Sequence, residues 1–331
     1  MVNLNLKDRK ILYQLDLNCR QSNAQIGKKV GLSKQVVDYR IKRMEEEGII
    51  TGYWTAIDSF KLGYYCFRIY INFFDVTPQK RKEIIDYFAS QKNIWGLIGF
   101  QGPIELDVIT WVDDIFAFNI WWDQTLKQYG NYFSQSIVSI LTQVISCKLT
   151  LLLDKVREEN SDNLFFITSC QGQPVKIDQL DYRILDELVL DARIPLTLLA
   201  EKIGTSSQTV KYRIKNLQKN NLIKAFRVSI DFKKMGYQFQ HIDIYLKDHS
   251  KKQAILEYLK TNPHSYDIMS MNIGWDDISL QALVKDTNDL IAIVQAIETW
   301  VPNAIRKTNF WVSTQEYKNR WLPEMEFKKI K

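Results

Sequence analysis

Residues 28–50 read KKVGLSKQVVDYRIKRMEEEGII, and residues 201–223 read EKIGTSSQTVKYRIKNLQKNNLI. The two stretches lie 173 positions apart, and the match runs without a gap over residues 4–64 and 177–237. Periods of about 20–50 residues build solenoids. A spacing this long means instead that a unit of several elements is present twice. Each copy holds three apolar periodicities at helical spacing. In the first they are Ile11, Leu12 and Leu15, then Ile26 and Val30, then Val37, Ile41 and Met44. Asp8 serves the first helix as N-cap or first-turn anion, Ser22 or Asn23 caps the second, and Gly31 ends it. Ser33 caps the third helix, which Gly48 stops, and Ile49 to Ile57 then alternates like a short hairpin or wing. The second copy repeats the plan with Ile184, Leu185 and Leu188, Gly204, the cap Ser206, and Val210, Ile214 and Leu217.

Three short helices with a glycine turn before a capped third helix form a winged helix-turn-helix pattern, whose third helix enters the major groove of double-stranded DNA. At 100° per residue from Val37, Gln35, Tyr39 and Lys42 fall between about 140° and 200°, opposite the buried stripe. Glutamine pairs with the adenine edge, lysine meets phosphate or guanine, and tyrosine donates to phosphate. All three recur as Gln208, Tyr212 and Lys215. The predicted DNA-binding set is Ser33, Lys34, Gln35, Asp38, Tyr39, Arg40, Lys42 and Arg43, with Ser206, Ser207, Gln208, Lys211, Tyr212, Arg213 and Lys215. Asp38 faces Lys211 in the alignment, Lys34 faces Ser207 and Arg43 faces Asn216, so the copies are expected to read unequal half-sites. Arg40 and Arg213 lie near the core boundary, where either a stem packed on the second helix or a phosphate contact suits them.

Charge follows the repeat. Residues 1–64 carry 11 Lys+Arg and 7 Asp+Glu, residues 174–237 carry 12 and 7, and the remainder carries 21 and 24. Basic modules on a slightly acidic body are the electrostatic footprint of a polyanion binder. Cys19, Cys66, Cys147 and Cys170 are scattered with no CxxC or His cluster, which predicts reduced thiols and no metal. Apolar runs such as Ile137 to Ile145 fall short of the roughly 20 residues that span a bilayer, so a soluble, cytoplasmic protein is expected.

After each repeated unit the pattern is strand, helix, strand, strand, helix, strand, the ferredoxin-like βαββαβ order. The first set is Tyr65 to Phe74, a helix opened by Thr77-Pro78, Ile94 to Phe100, Ile104 to Trp111, a helix from Asp113 or Asp114, and a long strand over Ser134 to Leu153. The second is Gln240 to Leu246, Ser250 to Leu259, Ser265 to Asn272, Asp277 to Val284, Thr287 to Trp300 and Ala304 to Ser313. The predicted fold class is therefore α+β, with winged helix-turn-helix units at 1–64 and 177–237 and ferredoxin-like domains at 65–153 and 238–316. Residues 154–176 read as a linker in which Leu164 to Ile167 form a docking strand, and 317–331 is an unassigned tail. Trp95, Trp111, Trp121, Trp122, Trp275, Trp300 and Trp311 are expected to anchor the core or an interface.

This order, with Gly31-Leu32-Ser33, Arg40-Ile41, Gly48-Ile49-Ile50 and Leu62-Gly63-Tyr64, resembles the Lrp/AsnC family of transcription regulators over nearly the whole chain, twice. The resemblance implies DNA binding, and ferredoxin-like RAM domains that pair and hold small effectors, frequently amino acids. Pairing inside one chain follows, because the tethered domains face each other at high effective concentration. The resemblance leaves further self-association open. It also points to Gly274, Asp276 and Asp277 in the turn Gly274-Trp275-Asp276-Asp277 as effector-binding residues, whereas the first copy has Gly102-Pro103-Ile104-Glu105. Siroheme decarboxylases combine the same two domains. Only His241, His249 and His264 occur, however, and no catalytic motif or Arg-Arg or His-rich strand follows either wing, so no catalytic residue and no cofactor is predicted. A third reading is an architectural DNA-coating protein.

Overall fold

A computed structural model describes residues 4–153, 164–171, 173–261 and 266–324. The fold is α+β, with each half contributing a helical unit and a ferredoxin-like unit. In the first half, α1 (Leu6–Leu17), α2 (Asn23–Val30) and α3 (Lys34–Glu46) are followed by β1 (Ile50–Ile57). Next come β2 (Tyr65–Phe73), α4 (Pro78–Ser90), β3 (Ile94–Gln101), β4 (Leu106–Val112), α5 (Ile115–Tyr129) and β5 (Phe133–Cys147). The docking strand β6 (Leu164–Ser169) pairs with β5. The second half repeats the order as α6 (Gln179–Leu190), α7 (Leu196–Ile203), α8 (Ser207–Lys219), β7 (Ile223–Ile230) and β8 (Gln238–Leu246). It ends with α9 (Lys252–Thr261), β9 (Tyr266–Ile273), β10 (Ile278–Val284), α10 (Thr287–Trp300) and β11 (Ile305–Asn319).

Local chemistry explains the helix ends. Asn5, not Asp8, caps α1, and Asp8 completes the capping box from the third helical position. Ser22 and Gln25 form the same box on α2. Gly31 and Gly204 end α2 and α7 in the left-handed region, at φ +68° and +69°, which glycine enters without a Cβ penalty. The first long strand stops at Cys147 and gives way to a short 3-10 turn at Thr150–Leu153, whereas β11 runs beyond the predicted Ser313 to Asn319.

The wing is not a hairpin within each unit. β1 of one half pairs antiparallel with β7 of the other, Ile50 opposite Ile230 and Ile57 opposite Ile223. The pairing is self-complementary across the 173-residue offset, and it sets Trp54 directly opposite its own equivalent, Arg227. A pseudo-two-fold axis therefore passes between these two residues. Further bonds respect it: Cys19 N donates to Phe226 O at 2.8 Å and Ala192 N to Tyr53 O at 3.1 Å, while Asp58 N donates to Leu222 O and Asp231 N to Ile49 O, both at 2.8 Å.

The ferredoxin-like sheets also join. In the order β2-β4-β3-β11-β8-β10-β9-β5, with β5 returning to β2, eight antiparallel strands close into a barrel. Closure leaves no free edge among these eight strands. The helices cover the outside, burying Ile84, Phe88, Ile69 and Val108 in one half and Ile255, Leu259, Ile242 and Leu280 in the other. Trp95, Trp111, Trp122 and Trp311 are buried and Trp121 and Trp275 half-buried, as anchors should be. Trp300 departs from the expectation: it stacks on Tyr258 at the end of α10, yet remains 68% exposed. Among the described residues no helix is long and apolar enough to cross a membrane.

Candidate nucleic-acid interface

α3 buries Val37, Ile41 and Met44, and α8 buries Val210, Ile214 and Leu217. Each helix starts on a serine cap: Ser33 Oγ accepts from Val36 N at 3.3 Å, and Ser206 Oγ from Thr209 N at 3.1 Å. Burying that stripe turns the opposite face outward. Gln35, Tyr39 and Lys42 are exposed on α3, as are Gln208, Tyr212 and Lys215 on α8. The two tyrosines are 67% and 62% exposed, although an aromatic ring is stabilised by burial. Ser33, Lys34, Ser206 and Lys211 are also exposed, and Ser207 is half-buried.

Arg40, Arg43 and Arg213 lie elsewhere. Arg40 Nη1 meets Asp8 Oδ1 at 2.7 Å and Arg43 Nη2 meets Asp8 Oδ2 at 2.9 Å. Arg213 Nη1 meets Asp178 Oδ2 at 2.7 Å and Asp181 Oδ2 at 3.2 Å. These guanidinium groups clamp the third helix of each unit to the N-terminus of the first, so the stem packs towards the first helix rather than the second. Asp38 accepts a hydrogen bond from Asn23 Nδ2, and Asn23 Oδ1 accepts from Arg193 Nη2 of the other unit at 2.9 Å. The aspartate is thus tied inward while its counterpart Lys211 stands exposed.

Sequence reasoning missed the residues that fix one recognition helix relative to the other. Lys61 Nζ donates to Asn220 O at 3.2 Å, and its equivalent Lys234 Nζ donates to Glu47 O at 2.5 Å. Asn220 and Glu47 are the C-caps of α8 and α3. Each lysine therefore places its charge at the negative end of the opposite unit's third helix. Arg20 and Arg193 brace the same joint: Arg20 Nη1 donates to Ala192 O (2.7 Å) and Ile194 O (3.1 Å) and lies over Phe226, while Arg193 lies over Tyr53. The signal was in the repeat itself, since a charged side chain retained at equivalent positions of both copies marks a contact made twice.

The turn expected to hold an effector has another job. Gly274, at φ +105°, lies against the backbone of β5, where an added Cβ would sit 3.2 Å from Val138 O. Asp276 is buried in the barrel and accepts from Asn272 Nδ2 at 2.6 Å, whereas Asp277 accepts from Leu246 N at 2.7 Å. The two carboxylates are committed to different places. In the first copy Glu105 bonds Phe73 N at 2.8 Å and Arg81 at 2.7 Å.

The barrel interior is polar and differs between the halves. Arg68 on β2 pairs with Asp107 on β4, both buried. His241 on β8, the equivalent of Arg68, is pushed down to about 3 by burial and then by Arg68, so its imidazole is neutral. Burial, then the charge of neighbouring Asp276, raises Asp243, which accepts from Trp275 Nε1 at 2.8 Å. Burial raises Asp276 as well. Among the described residues no group of His, Cys, Asp and Glu is arranged to hold a metal ion. Cys19, Cys66 and Cys147 are buried free thiols and Cys170 is an exposed one.

Comparison with known proteins agrees with this anatomy. Residues 4–51 match a winged helix-turn-helix DNA-binding domain, and residues 177–218 an AsnC-type helix-turn-helix domain. The HTH-type transcriptional regulator AldR of Mycolicibacterium smegmatis is 33% identical over 117 residues, covering 34% of this chain and 68% of that protein. The HTH-type transcriptional regulator Ptr1 of Methanocaldococcus jannaschii is 30% identical over 146 residues, covering 44% of this chain and 89% of that protein. Each relative thus matches under half of the chain. Over its whole length the chain shares a fold with the siroheme decarboxylase NirDL, at a TM-score of 0.61 and 13% identity, covering 95% of this chain and 93% of that one.

Proposed function

The chain belongs to the Lrp/AsnC family of HTH-type transcription regulators, and from that premise we propose that one polypeptide performs the work of a dimer on double-stranded DNA. The observation that carries this reading is the exposed Gln/Tyr/Lys stripe, present on α3 and again on α8 and related by the axis through Trp54 and Arg227. A two-fold pair of third helices addresses half-sites about 34 Å or a multiple apart. Gln35 and Gln208 read base edges, and Lys42, Lys215, Tyr39 and Tyr212 contact the backbone. Ser33, Lys34, Ser206 and Ser207 lie at the helix N-termini, where they approach phosphate. Lys211 contributes a charge that Asp38 does not, so the favoured operator is an imperfect palindrome. The protein acts in the cytoplasm.

Arg40, Arg43 and Arg213 support this surface from behind, through Asp8, Asp178 and Asp181. We place no effector at Gly274, Asp276 and Asp277: Asp276 is buried against Asn272, and Asp277 holds Leu246 N. Nor do we assign a catalytic residue: His241 is neutral and buried, too weak a base to move protons near neutral pH. Incubation with siroheme under reducing conditions should leave the tetrapyrrole undecarboxylated by mass spectrometry, and turnover would assign the chain to its full-length structural neighbour's chemistry instead.

The decisive experiment is selection of bound duplexes from a random pool with the intact chain. Two related but unequal half-sites in fixed register are expected. Enrichment of no sequence, together with parallel loss of cognate and random binding as salt rises, would identify a coating protein.

A further inference from the structure

A cavity of about 450 Å³ lies between the wing ribbon and the barrel. A concave space of this size falls in the range that holds small molecules. Its walls come from β7, β8, β9, β10, β11 and the segment after β11, together with Trp54, Ile98 and Leu149 of the first half and Val189 of α6. One wall is aromatic: Trp54 and Trp321 stack with ring centroids 5.0 Å apart and planes 15° from parallel, and Phe232 and Phe239 line the same space. The other wall is polar. His241 and Gln281 are direct cross-strand partners on β8 and β10. His241 is 3% exposed and its Nδ1 has no hydrogen-bond partner, and the Gln281 amide has none among the described residues.

The charges around the cavity decide what it suits. Arg227 is engaged by Asp16 Oδ1 at 2.7 Å and Ser146 Oγ at 2.8 Å. Glu316, an exposed carboxylate, stands at the rim and accepts from Asn319 Nδ2 at 3.0 Å. His241 is neutral. The inner surface thus presents aromatic faces beside an uncharged histidine and an amide, which can each donate or accept. A buried anion would find no uncommitted cation there, and the carboxylate of Glu316 stands at the exposed rim rather than against the aromatic wall.

The cavity is not repeated at full size: the space lined by Arg68 and Ile109 holds about 110 Å³ and shares Gln281 and Trp321 with it. Opposite Arg68 in the first half, Ile109 takes the place that Gln281 holds opposite His241, and Arg68 is consumed by Asp107. At the axis, Val189 stands where the first copy has Asp16. Where the first half holds an ion pair, the second opens into a partly apolar chamber.

We propose that this chamber binds one flat, uncharged aromatic molecule per chain, its ring against Trp54 and Trp321 and its hydrogen-bonding edge against His241 and Gln281. The site is separate from the DNA-contacting face and from the turn at Gly274.

The test titrates the intact chain with 7-amino-4-methylcoumarin, a flat neutral probe with a donor at one end and a carbonyl at the other. Saturable anisotropy and tryptophan-sensitised coumarin emission at one probe per chain are expected. Gln281→Leu should weaken binding at least tenfold, and Thr51→Phe, a change at an exposed rim position, should block entry. Circular dichroism and thermal unfolding identify any variant that has lost its fold. Unsaturable binding, or binding equal in folded Gln281→Leu, Thr51→Phe and parent chains, overturns the site. Tighter binding of the anion 8-anilinonaphthalene-1-sulfonate, abolished by Thr51→Phe, overturns the uncharged class. The titration contains no DNA, so its outcome is independent of operator binding.

Discussion

The wing ribbon and the barrel interior are built from the same two copies, yet one has kept its symmetry and the other has not. In the ribbon, bonds recur at the 173-residue offset: Cys19 to Phe226 and Ala192 to Tyr53, Lys61 to Asn220 and Lys234 to Glu47. In the barrel, Arg68 faces Asp107 in one half, while the other half holds His241, Asp243 and Asp276. Backbone pairing tolerates few alternatives, because a slip of one residue turns every side chain to the wrong face. Interior side chains are free to diverge as long as their polar groups remain satisfied. The axis residues show both rules at one spot: Trp54 and Arg227 stay paired as strand residues, and only Arg227 has a carboxylate, Asp16, within reach.

Four sets of changes would break or sharpen this contrast. The largest effect is expected at the axis. Asp16→Val takes from buried Arg227 the carboxylate that neutralises it at the axis, which should cost about 3–5 kcal/mol in urea unfolding, whereas Asp16→Val with Arg227→Trp should recover most of the loss by making both sides apolar. A small loss in the single variant would show that the ion pair does not hold the axis.

Next is the interior carboxyl of Asp243, pushed up to about 8 by burial and then by Asp276. A carboxyl whose folded value exceeds its unfolded one binds more protons when folded, so stability should fall as pH rises from about 4 to about 8 and change no further above that. Asp243→Asn should flatten the slope, with a gain on the order of a few kcal/mol near pH 8, read as melting temperature against pH. An unchanged slope would remove Asp243 as its source.

The recognition helices come third. Gln35→Ala and Gln208→Ala should each relax base preference by roughly 1–3 kcal/mol, in opposite half-sites, while Lys42→Ala weakens every sequence alike. Uniform losses from the glutamine changes would take base reading away from them. The smallest effect is predicted at Arg20 and Arg193, which keep equivalent positions over Phe226 and Tyr53 but donate to different groups: Arg20→Ala and Arg193→Ala should each cost about 1–2 kcal/mol, and nearly the same amount. Clearly unequal costs would mean that the ribbon, too, has diverged.

Much of this was legible from the chain. Repetition of Gly31 and Gly204, of the caps Ser33 and Ser206 and of the buried stripes fixed the helical units, since caps and periodicity are local properties. Exposure of Gln35, Tyr39, Lys42 and their counterparts followed from the geometry of a helix with one buried face. The ends of β5 and β11 were less legible. Their apolar residues continue past or stop short of the strand, and pairing partners such as Gly96 opposite Asn319 set the limit. The bond from Asn272 to Asp276 was not legible, because a glycine beside acidic residues reads alike whether the acids face a ligand or a buried asparagine.

By itself, then, the sequence determined two copies of a winged unit and a ferredoxin-like unit, with a basic, repeated stripe on each third helix. Only the tertiary structure decided that β1 pairs with β7, that the sheets close into one barrel, and that Arg40 and Asp38 turn inward while Lys211 does not. The physical reason is distance along the chain. Caps and helical faces depend on neighbours three or four residues away, whereas the ribbon, the barrel seams between the halves and the stacked wall of the chamber join residues more than about 120 positions apart, whose meeting depends on the packing of the whole molecule.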